Sequence, residues 1–187
     1  MKPLSTLFLD RDGVINTELP ADYVKNTEEF LFEPGVFEAL KLLQPYFCRT
    51  IIVTNQRGVG AGIMSENDLN TVHQFMMKSL NDHEISIDAI YAATDEDRKS
   101  HRRKPYPYMG LQAKNDFPDI DFSKSLMIGN SSSDMEFGKA LDMVTVFIDD
   151  KKKHDGIQLL KNTDIETDSL LLAATLFEEK ILPLFDH

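Results

Sequence analysis

The sequence predicts an α/β fold of the Rossmann-like, three-layer α/β/α kind, with a mainly parallel sheet and no large cap domain. Short apolar runs that suit buried strands alternate along the chain with longer segments of helical periodicity. This alternation favours parallel strands joined by helical crossovers. No internal repeat, low-complexity tract or interdomain linker interrupts it, so residues 1–187 are expected to form one domain.

The strands are predicted from short runs of apolar and β-branched residues. Each run is too short for a helix and is bounded by polar or turn-forming residues, as is typical of strands buried in a parallel sheet. The predicted strands are Leu7–Leu9, Thr50–Thr54, Ala89–Ala93, Ser125–Ile128 and Val144–Ile148.

The helices are predicted from apolar residues that recur every three or four positions and from capping residues. Ser65 followed by Asp68 resembles a capping box, which marks the start of a helix. The predicted helices are one opened by Glu33-Pro34-Gly35 and continuing through Leu43, one from Ser65 through Leu80, one starting near Pro107 and containing Ala113, Ser131–Leu141, and Ser169–Leu182 after Asp168.

Composition narrows the class of protein. Thirty-one acidic and 20 basic residues give a net charge of −11, which disfavours nonspecific binding to nucleic acid or to anionic membranes. No apolar run is long enough to span a bilayer, and the region after Met1 lacks the apolar core of a signal peptide. Cys48 is the only cysteine, so an internal disulfide and a cysteine-built zinc site are excluded. We therefore expect a cytoplasmic protein.

Polar residues follow several predicted strands, where ligands of parallel α/β sheets bind. Asp10 and Asp12 come directly after the first strand, two residues apart, and Gly13 allows a sharp turn there. Two like charges this close favour a cation or a proton between them. Four segments are expected to meet at this edge: 10–13, Thr54-Asn55-Gln56-Arg57-Gly58, Arg103-Lys104-Pro105, and 129–134.

These residue types suit phosphoryl transfer with Mg²⁺. A carboxylate that attacks phosphorus needs a cation to offset its repulsion from the phosphate oxygens, and hard oxygen ligands suit Mg²⁺. Asp10 and Asp12, with a third oxygen from Asn130, would form such a site. The Thr54 hydroxyl would hold phosphate oxygens, although a threonine ending a strand is also unremarkable, and Lys104 would offset the charge shared by phosphate and Asp10.

The four segments, in this order, closely resemble the haloacid-dehalogenase superfamily of phosphotransferases. The resemblance implies that Asp10 is the nucleophile and Asp12 the general acid and then base, while Thr54 binds phosphate and Lys104 orients the nucleophile. It also implies that the acidic segment with Asn130 and Asp134 completes the magnesium shell. A carboxyl at position 12 is typical of the phosphatases of that superfamily.

A narrower resemblance is to the subgroup of heptose bisphosphate and histidinol-phosphate phosphatases. It is carried by residues 8–16, Tyr23-Val24, 34–36, 53–56 and Arg103-Lys104-Pro105. The resemblance implies that Arg103 contacts a second phosphate or other polar groups of the substrate. Five of the 20 basic residues lie in Arg98–Lys104, which indicates either an anion-binding patch or a solvated basic loop. The expected substrate-binding residues are Thr54, Asn55, Arg57, Arg103 and Lys104.

Three departures from the subgroup pattern are visible. Residues 92–102 contain His101 but no cysteine, so the subgroup's structural zinc is expected to be absent. Asn130 replaces the usual aspartate, so Asp134 would have to compensate for the lost charge. The loop 57–62 has Arg57 at its first position and Ala61 where the subgroup has arginine.

The number of residues between the motifs indicates whether a cap domain is present. About fifty residues separate Asp10 from Thr54, and about fifty separate Thr54 from Lys104. The strands and helices of the core need most of these residues, so no large cap domain is expected between the motifs. Only a short flap, residues 17–32, is then expected near the entrance of the site. His73 has no partner pattern and is expected at the surface.

The leading hypothesis is therefore a Mg²⁺-dependent phosphomonoester hydrolase that forms an aspartyl-phosphate. By resemblance its substrate is a small phosphorylated metabolite such as heptose bisphosphate, with histidinol phosphate or another metabolite as the alternative. A noncatalytic relative that binds a phosphate ligand or a protein is the alternative of another class. The oligomeric state is left open.

Overall fold

The computed structural model describes residues 3–149 and 162–185 of the chain. Its centre is a six-stranded sheet in which all neighbouring strands are parallel, in the order β3-β2-β1-β4-β5-β6. The strands are β1 (Leu4–Leu9), β2 (Phe47–Asn55), β3 (Ala89–Ala93), β4 (Leu126–Gly129), β5 (Val144–Ile148) and β6 (Ile165–Thr167).

Helices cover the sheet on both faces, as predicted. They are α1 (Val36–Leu43), α2 (Arg57–Gly60), α3 (Glu66–Asp82), α4 (Tyr108–Asp116), α5 (Ser132–Ala140) and α6 (Leu170–Thr175). Short 3₁₀ turns occupy Gln44–Tyr46, Phe122–Lys124 and Leu182–Phe185, and a π-helical turn occupies Phe177–Ile181.

Alternation along the buried strands divides the core in two. Leu7 and Leu9 of β1 point to one face, where they belong to the same apolar cluster as residues of α1, α3 and α6. Phe8 points to the other face and packs in a cluster with residues of α4 and α5. The three-layer α/β/α prediction is therefore confirmed.

The element boundaries follow local chemistry. At the start of α3, the Ser65 hydroxyl accepts from the Asp68 amide at 3.1 Å and the Asp68 carboxylate accepts from the Ser65 amide at 2.8 Å, which is the predicted capping box. The predicted helix Ser169–Leu182 is instead interrupted: α6 ends at Thr175 and a π-helical turn follows. Pro183 lies just beyond the predicted end and, because it lacks an N–H, prevents a regular helix from extending past it.

The described residues contain β6, which the sequence did not predict, and no large cap. The predicted flap, residues 17–32, is an irregular segment closed at its base by a bridge between Asn16 and Phe32. In the described part of the chain, no helix combines the length and apolar character that a transmembrane span needs.

Candidate active site

A polar cavity of about 210 Å³ opens at the carboxyl edge of the sheet, beside the end of β1. It brings together residues from four separate segments, as the sequence predicts, together with residues of the flap. The lining residues are Asp10, Asp12, Glu18, Leu19, Asp22, Tyr23, Thr54, Asn55, Lys104, Asn130, Ser131 and Ser133. Asp134, Arg57 and Arg103, which were also predicted as site residues, are not among them.

Lys104 lies between two carboxylates, and we call Lys104, Asp10 and Asp134 the lysine cluster. The Lys104 Nζ is 2.8 Å from Asp10 Oδ1 and 2.5 Å from Asp134 Oδ1, and it donates to the Val53 carbonyl at 2.7 Å. All three residues are buried. The ammonium therefore fixes the orientation of the Asp10 carboxyl at the cavity wall.

The lysine cluster contains one more acidic than basic group. Burial, followed by the negative charge of Asp134, raises the pKa of Asp10 to about 7, although Lys104 opposes the shift. Burial disfavours the charged form of Lys104, but the two carboxylates outweigh this and raise its pKa. A cation near Asp10 would relieve the excess of negative charge.

Asp12 has a different environment, the arginine cluster, formed by Asp12, Arg11, Asn16, Gln56 and His73. Asp12 Oδ1 accepts from Arg11 Nη2 at 2.8 Å and from Asn16 Nδ2 at 3.0 Å. Asp12 Oδ2 accepts from Gln56 Nε2 at 2.7 Å. Burial raises the pKa of Asp12, but the charge and hydrogen bonds of Arg11 and the two amides outweigh it and hold the pKa below its usual range.

His73 belongs to the same cluster, so its expected surface position is wrong. Its Nε2 lies 3.1 Å from Nη1 of the fully buried Arg11. Burial and the Arg11 charge lower the pKa of His73 to about 4. The ring is thus neutral near pH 7, and its Nε2 can accept from the guanidinium.

The end of β2 carries Thr54, the candidate phosphate-binding residue, and Asn55, which binds the segment that contains Lys104. The buried Thr54 hydroxyl accepts from Gln56 Nε2 at 2.8 Å. Asn55 makes two bonds to the backbone of Lys104: its Nδ2 donates to the carbonyl at 3.1 Å and its Oδ1 accepts from the amide at 3.0 Å. We call this pair of bonds the Asn55 clamp. It joins β2 to the loop that carries the lysine.

Asn130 follows β4 and faces the flap. Its Nδ2 donates to Glu18 Oε2 at 3.2 Å. Gly13 has a φ of +82°, and a β-carbon there would overlap the Asn130 side chain. Glycine at position 13 therefore allows both the left-handed turn after Asp12 and the close approach of Asn130.

The oxygen atoms of the side chains at the cavity could serve as ligands of a hard divalent cation. Asp10, Asp12 and Asn130 line one cavity, and in the described residues Asp10 Oδ2 receives no hydrogen bond from the protein. No group of three His, Cys, Asp or Glu side chains able to share a metal occurs within 3–149 and 162–185. The candidate site thus consists of two carboxylates and an amide oxygen, which are ligands suited to Mg²⁺.

Asp134 lies behind Lys104 and is fully buried. Its Oδ2 accepts from the backbone amide and the hydroxyl of Ser131, which forms the capping box of α5. Its Oδ1 faces Lys104. Asp134 is therefore placed to hold the lysine, and its role as a metal ligand stays a prediction.

Arg57 and Arg103 lie beside the cavity and bond the loop that follows β3. Arg57 Nε donates to the Glu96 carbonyl at 2.8 Å, and Arg103 Nη1 donates to the Asp95 carbonyl at 3.3 Å. Burial, with the charge of Arg57, lowers the pKa of Arg103, while Tyr23 opposes the shift. Tyr23 itself lines the cavity, whereas the two arginines do not.

The sequence interpretation did not single out Arg11, Asn16, Gln56, Glu18 or His73 as functional. Gln56 follows Thr54 by two residues, a spacing that places two side chains on the same side of an extended segment and could have indicated it. His73 offered no such signal, because only the packing of α3 beside β1 brings it to Arg11.

Comparison with known proteins identifies relatives of this chain. The family model described as polynucleotide kinase 3 phosphatase matches residues 6–165. A D-glycero-alpha-D-manno-heptose-1,7-bisphosphate 7-phosphatase of Campylobacter jejuni is 36% identical over 158 residues, covering 83% of this chain and 90% of that protein. The protein of that name from Mycobacterium tuberculosis is 39% identical over 133 residues, covering 70% and 69%.

A solved structure supports the fold. The D,D-heptose 1,7-bisphosphate phosphatase from B. bronchiseptica, complexed with magnesium and phosphate, superposes with a TM-score of 0.80 and 24% identity, covering 94% of this chain and 99% of that chain. The chain therefore belongs to the haloacid-dehalogenase superfamily, among the phosphatases that include the heptose bisphosphate enzymes.

Proposed function

We propose that this phosphatase is a Mg²⁺-dependent phosphomonoester hydrolase of the cytoplasm that removes the 7-phosphate of a D-glycero-D-manno-heptose 1,7-bisphosphate. The observation that carries the proposal is the convergence of Asp10, Asp12, Thr54 and Lys104 on one polar cavity. Relatives bearing the heptose bisphosphate phosphatase name, at 33–39% identity, support the substrate class.

In the first step, an oxygen of Asp10 attacks phosphorus while the bond between phosphorus and the sugar oxygen breaks. Asp12 gives its proton to that departing oxygen, so the sugar leaves as an alcohol. Asp10 is then phosphorylated. Thr54 binds a phosphate oxygen, and Lys104 keeps the Asp10 carboxyl oriented.

In the second step, water attacks the phosphorus of the aspartyl-phosphate. Asp12 takes the proton from that water, and the bond between Asp10 and phosphorus breaks, which releases inorganic phosphate. Asp10, Asp12 and Asn130 would hold Mg²⁺, with Asp134 as a further predicted ligand. The ion would supply positive charge that offsets repulsion between the nucleophile and the phosphate oxygens.

A small metabolite is favoured over a polynucleotide. The cavity is about 210 Å³, and the chain carries a net charge of −11, which repels a polyanion. Thr54, Asn55 and Lys104 line the cavity. Arg57 and Arg103, whose charges interact with each other, are expected to attract a second phosphate of the substrate.

The test measures phosphate release in Mg²⁺ from heptose bisphosphate, histidinol phosphate and a 3′-phosphorylated oligonucleotide. We expect heptose bisphosphate to be the best substrate. Asp10→Asn should lower the rate by about four orders of magnitude or more, and Asp12→Asn by about two to four.

Asp82→Asn is the matched control, because Asp82 ends α3 and pairs only with Lys78 among the described residues. It should retain wild-type activity. Equal activity of wild type, Asp10→Asn and Asp12→Asn would refute the catalytic assignment, and preference for the oligonucleotide would refute the substrate.

A further inference from the structure

Asn130 differs from the two carboxylates that line the cavity with it, because the two ends of its side chain are chemically unlike. Either oxygen of Asp10 or Asp12 could bind a cation, whereas an amide offers one oxygen and an NH₂ group that only donates. A hard divalent cation takes oxygen ligands. The asparagine can therefore serve as a ligand only when its oxygen, and not its nitrogen, faces the cation.

A carboxylate of the flap fixes which end of the Asn130 amide is turned away. Asn130 Nδ2 donates to Glu18 Oε2 at 3.2 Å, and both residues line the cavity. In the reversed orientation, Asn130 Oδ1 would lie against the carboxylate oxygen, where two acceptors would repel each other. Within the described part of the chain, Oδ1 accepts no hydrogen bond, so it is available as a ligand.

The turn at Gly13 contacts the same end of the amide. A β-carbon at position 13 would lie 1.9 Å from Asn130 Nδ2 and 3.3 Å from Asn130 Oδ1. The nitrogen is therefore the end that packs on the turn, and the oxygen lies farther from it. Glu18 and the Gly13 turn thus agree on the orientation of the side chain.

Glu18 extends from a part of the flap whose backbone is anchored. Before it, the Thr17 amide donates to the Leu31 carbonyl at 2.8 Å. After it, the Asp22 amide donates to the Leu19 carbonyl at 3.2 Å, which closes a turn. Backbone bonds on both sides therefore define the position from which the exposed Glu18 side chain reaches the cavity.

A second flap carboxylate, that of Asp22, lines the same cavity but has different partners. Its Oδ2 lies 2.7 Å from Lys25 Nζ, and its Oδ1 accepts from the Tyr23 amide at 2.8 Å. Two acids of the flap thus bring negative charge to the cavity. Among the described residues, Glu18 is the one of the two that contacts the Asn130 amide.

We propose that Glu18 is a positioning residue of the metal site, which accepts from Asn130 Nδ2 and thereby leaves Oδ1 as the end that Mg²⁺ would bind. The inference rests on the proposed function, in which Asp10, Asp12 and Asn130 hold the ion. Hydrogen bonds from outside the ligand set orient metal ligands and strengthen metal binding. A flap residue, and not only the strand ends, then sets the affinity of the site.

The test measures the affinity of the full chain for Mg²⁺ alone by calorimetry, without substrate. Glu18→Gln keeps the size of the side chain, but its amide can accept from Nδ2 or donate to Oδ1, so the preference for one orientation is lost. The dissociation constant should rise by about tenfold, the lower end for partners of metal ligands, because Glu18 is exposed. Asp22→Asn, the matched control, removes a charge at the same cavity and should change the constant by less than about twofold.

A second background separates orientation from charge. In Asn130→Asp, either oxygen of the new carboxylate can face the ion, so no partner is needed to select one end. Adding Glu18→Gln to Asn130→Asp should therefore not weaken Mg²⁺ binding. If Glu18 attracted the cation only by its charge, or only stabilised the flap, its replacement would weaken binding by the same factor in both backgrounds.

Three results would overturn the inference: an unchanged affinity in Glu18→Gln, an equal loss in Asp22→Asn, or the same loss when Glu18→Gln is added to Asn130→Asp. The proposed function is judged separately, by phosphate release. If wild type binds Mg²⁺ more tightly than Glu18→Gln but releases no phosphate from any of the three substrates, only the proposed function fails. If wild type releases phosphate in Mg²⁺ and its affinity for the ion does not depend on Glu18, only the inference fails.

Discussion

Asp10 and Asp12 are two residues apart and both are largely enclosed, yet their environments are opposite. In the lysine cluster, two carboxylates share one ammonium, and the pKa of Asp10 rises to about 7 under burial and the charge of Asp134. In the arginine cluster, one carboxylate has a guanidinium and two amides, and the pKa of Asp12 falls below its usual range. Burial is the largest contribution at both carboxylates, and their neighbours decide the direction: Asp134 adds to it at Asp10, whereas Arg11 and two amides outweigh it at Asp12.

The comparison bears on the roles of the two acids. The Asp10 carboxyl lies where a cation would be favourable, which suits a nucleophile that must approach a phosphate. The Asp12 carboxyl is held at three points, which fixes its direction, and its lowered pKa favours the ionised form that takes a proton from water. One strand end thus provides two chemically distinct carboxylates.

The largest effect on stability is expected in the lysine cluster. Lys104→Met leaves Asp10 and Asp134 buried without their cation, so the free energy of unfolding should fall by about 3–5 kcal/mol in urea denaturation at neutral pH. Arg11→Met leaves Asp12 with two amide donors and a side chain that is 25% exposed, so the loss should be smaller, about 1–3 kcal/mol.

Adding Asp134→Asn to Lys104→Met should recover part of the loss, because the number of unpaired buried charges decreases. Equal destabilisation by Lys104→Met and Arg11→Met, without recovery in the double variant, would contradict the difference between the two clusters.

A smaller effect is expected from His73, through the pH dependence of stability. Its pKa is about 4 in the folded protein and 6.5 in the reference state, so the unfolded chain binds a proton more readily. Stability should therefore fall as the pH decreases from about 6.5 to about 4, by up to about 3 kcal/mol from this residue.

His73→Asn removes the titrating group, so the difference in unfolding free energy between wild type and variant should change over that pH range. Urea denaturation at pH 7, 5.5 and 4 measures it. A constant difference between the two proteins at all three pH values would show that His73 is not held neutral against Arg11.

The smallest effect concerns Asn130. In Asn130→Asp, a third carboxylate joins Asp10 and Asp12 at the cavity, so Mg²⁺ should bind about tenfold more tightly in calorimetry, a gain of about 1.4 kcal/mol. Asn115→Asp on the exposed side of α4 is the control and should leave the affinity unchanged. An unchanged dissociation constant in Asn130→Asp would remove position 130 from the metal site.

Much of the fold was predictable from local patterns. Buried apolar runs gave five strands, with β3 and β5 at the observed boundaries. The sixth strand, β6, has three residues and an exposed Glu166, which is too short a signal for periodicity. The closing helix was predicted too long because its pattern of apolar residues continues through the π-helical turn, where Phe177 and Ile181 remain buried.

The site was predictable where it depends on strand ends and not where it depends on packing between distant segments. Asp10, Thr54 and Asn130 meet because parallel strands bring their carboxyl ends to one edge. The partner of Asp12 on α3, His73, comes from a helix whose pattern indicates only a buried face. Arg57 donates a hydrogen bond to the loop after β3, and no residue pattern in the sequence predicts this contact.

The Asn55 clamp has a consequence for the loop that carries Lys104. The Asn55 side chain binds both the backbone carbonyl and the backbone amide of Lys104. These two hydrogen bonds fix the loop without a bound ion or an oxidisable thiol. Attachment of the lysine segment to the strand should then survive zinc starvation and oxidative stress, conditions under which a cysteine-ligated loop would come apart.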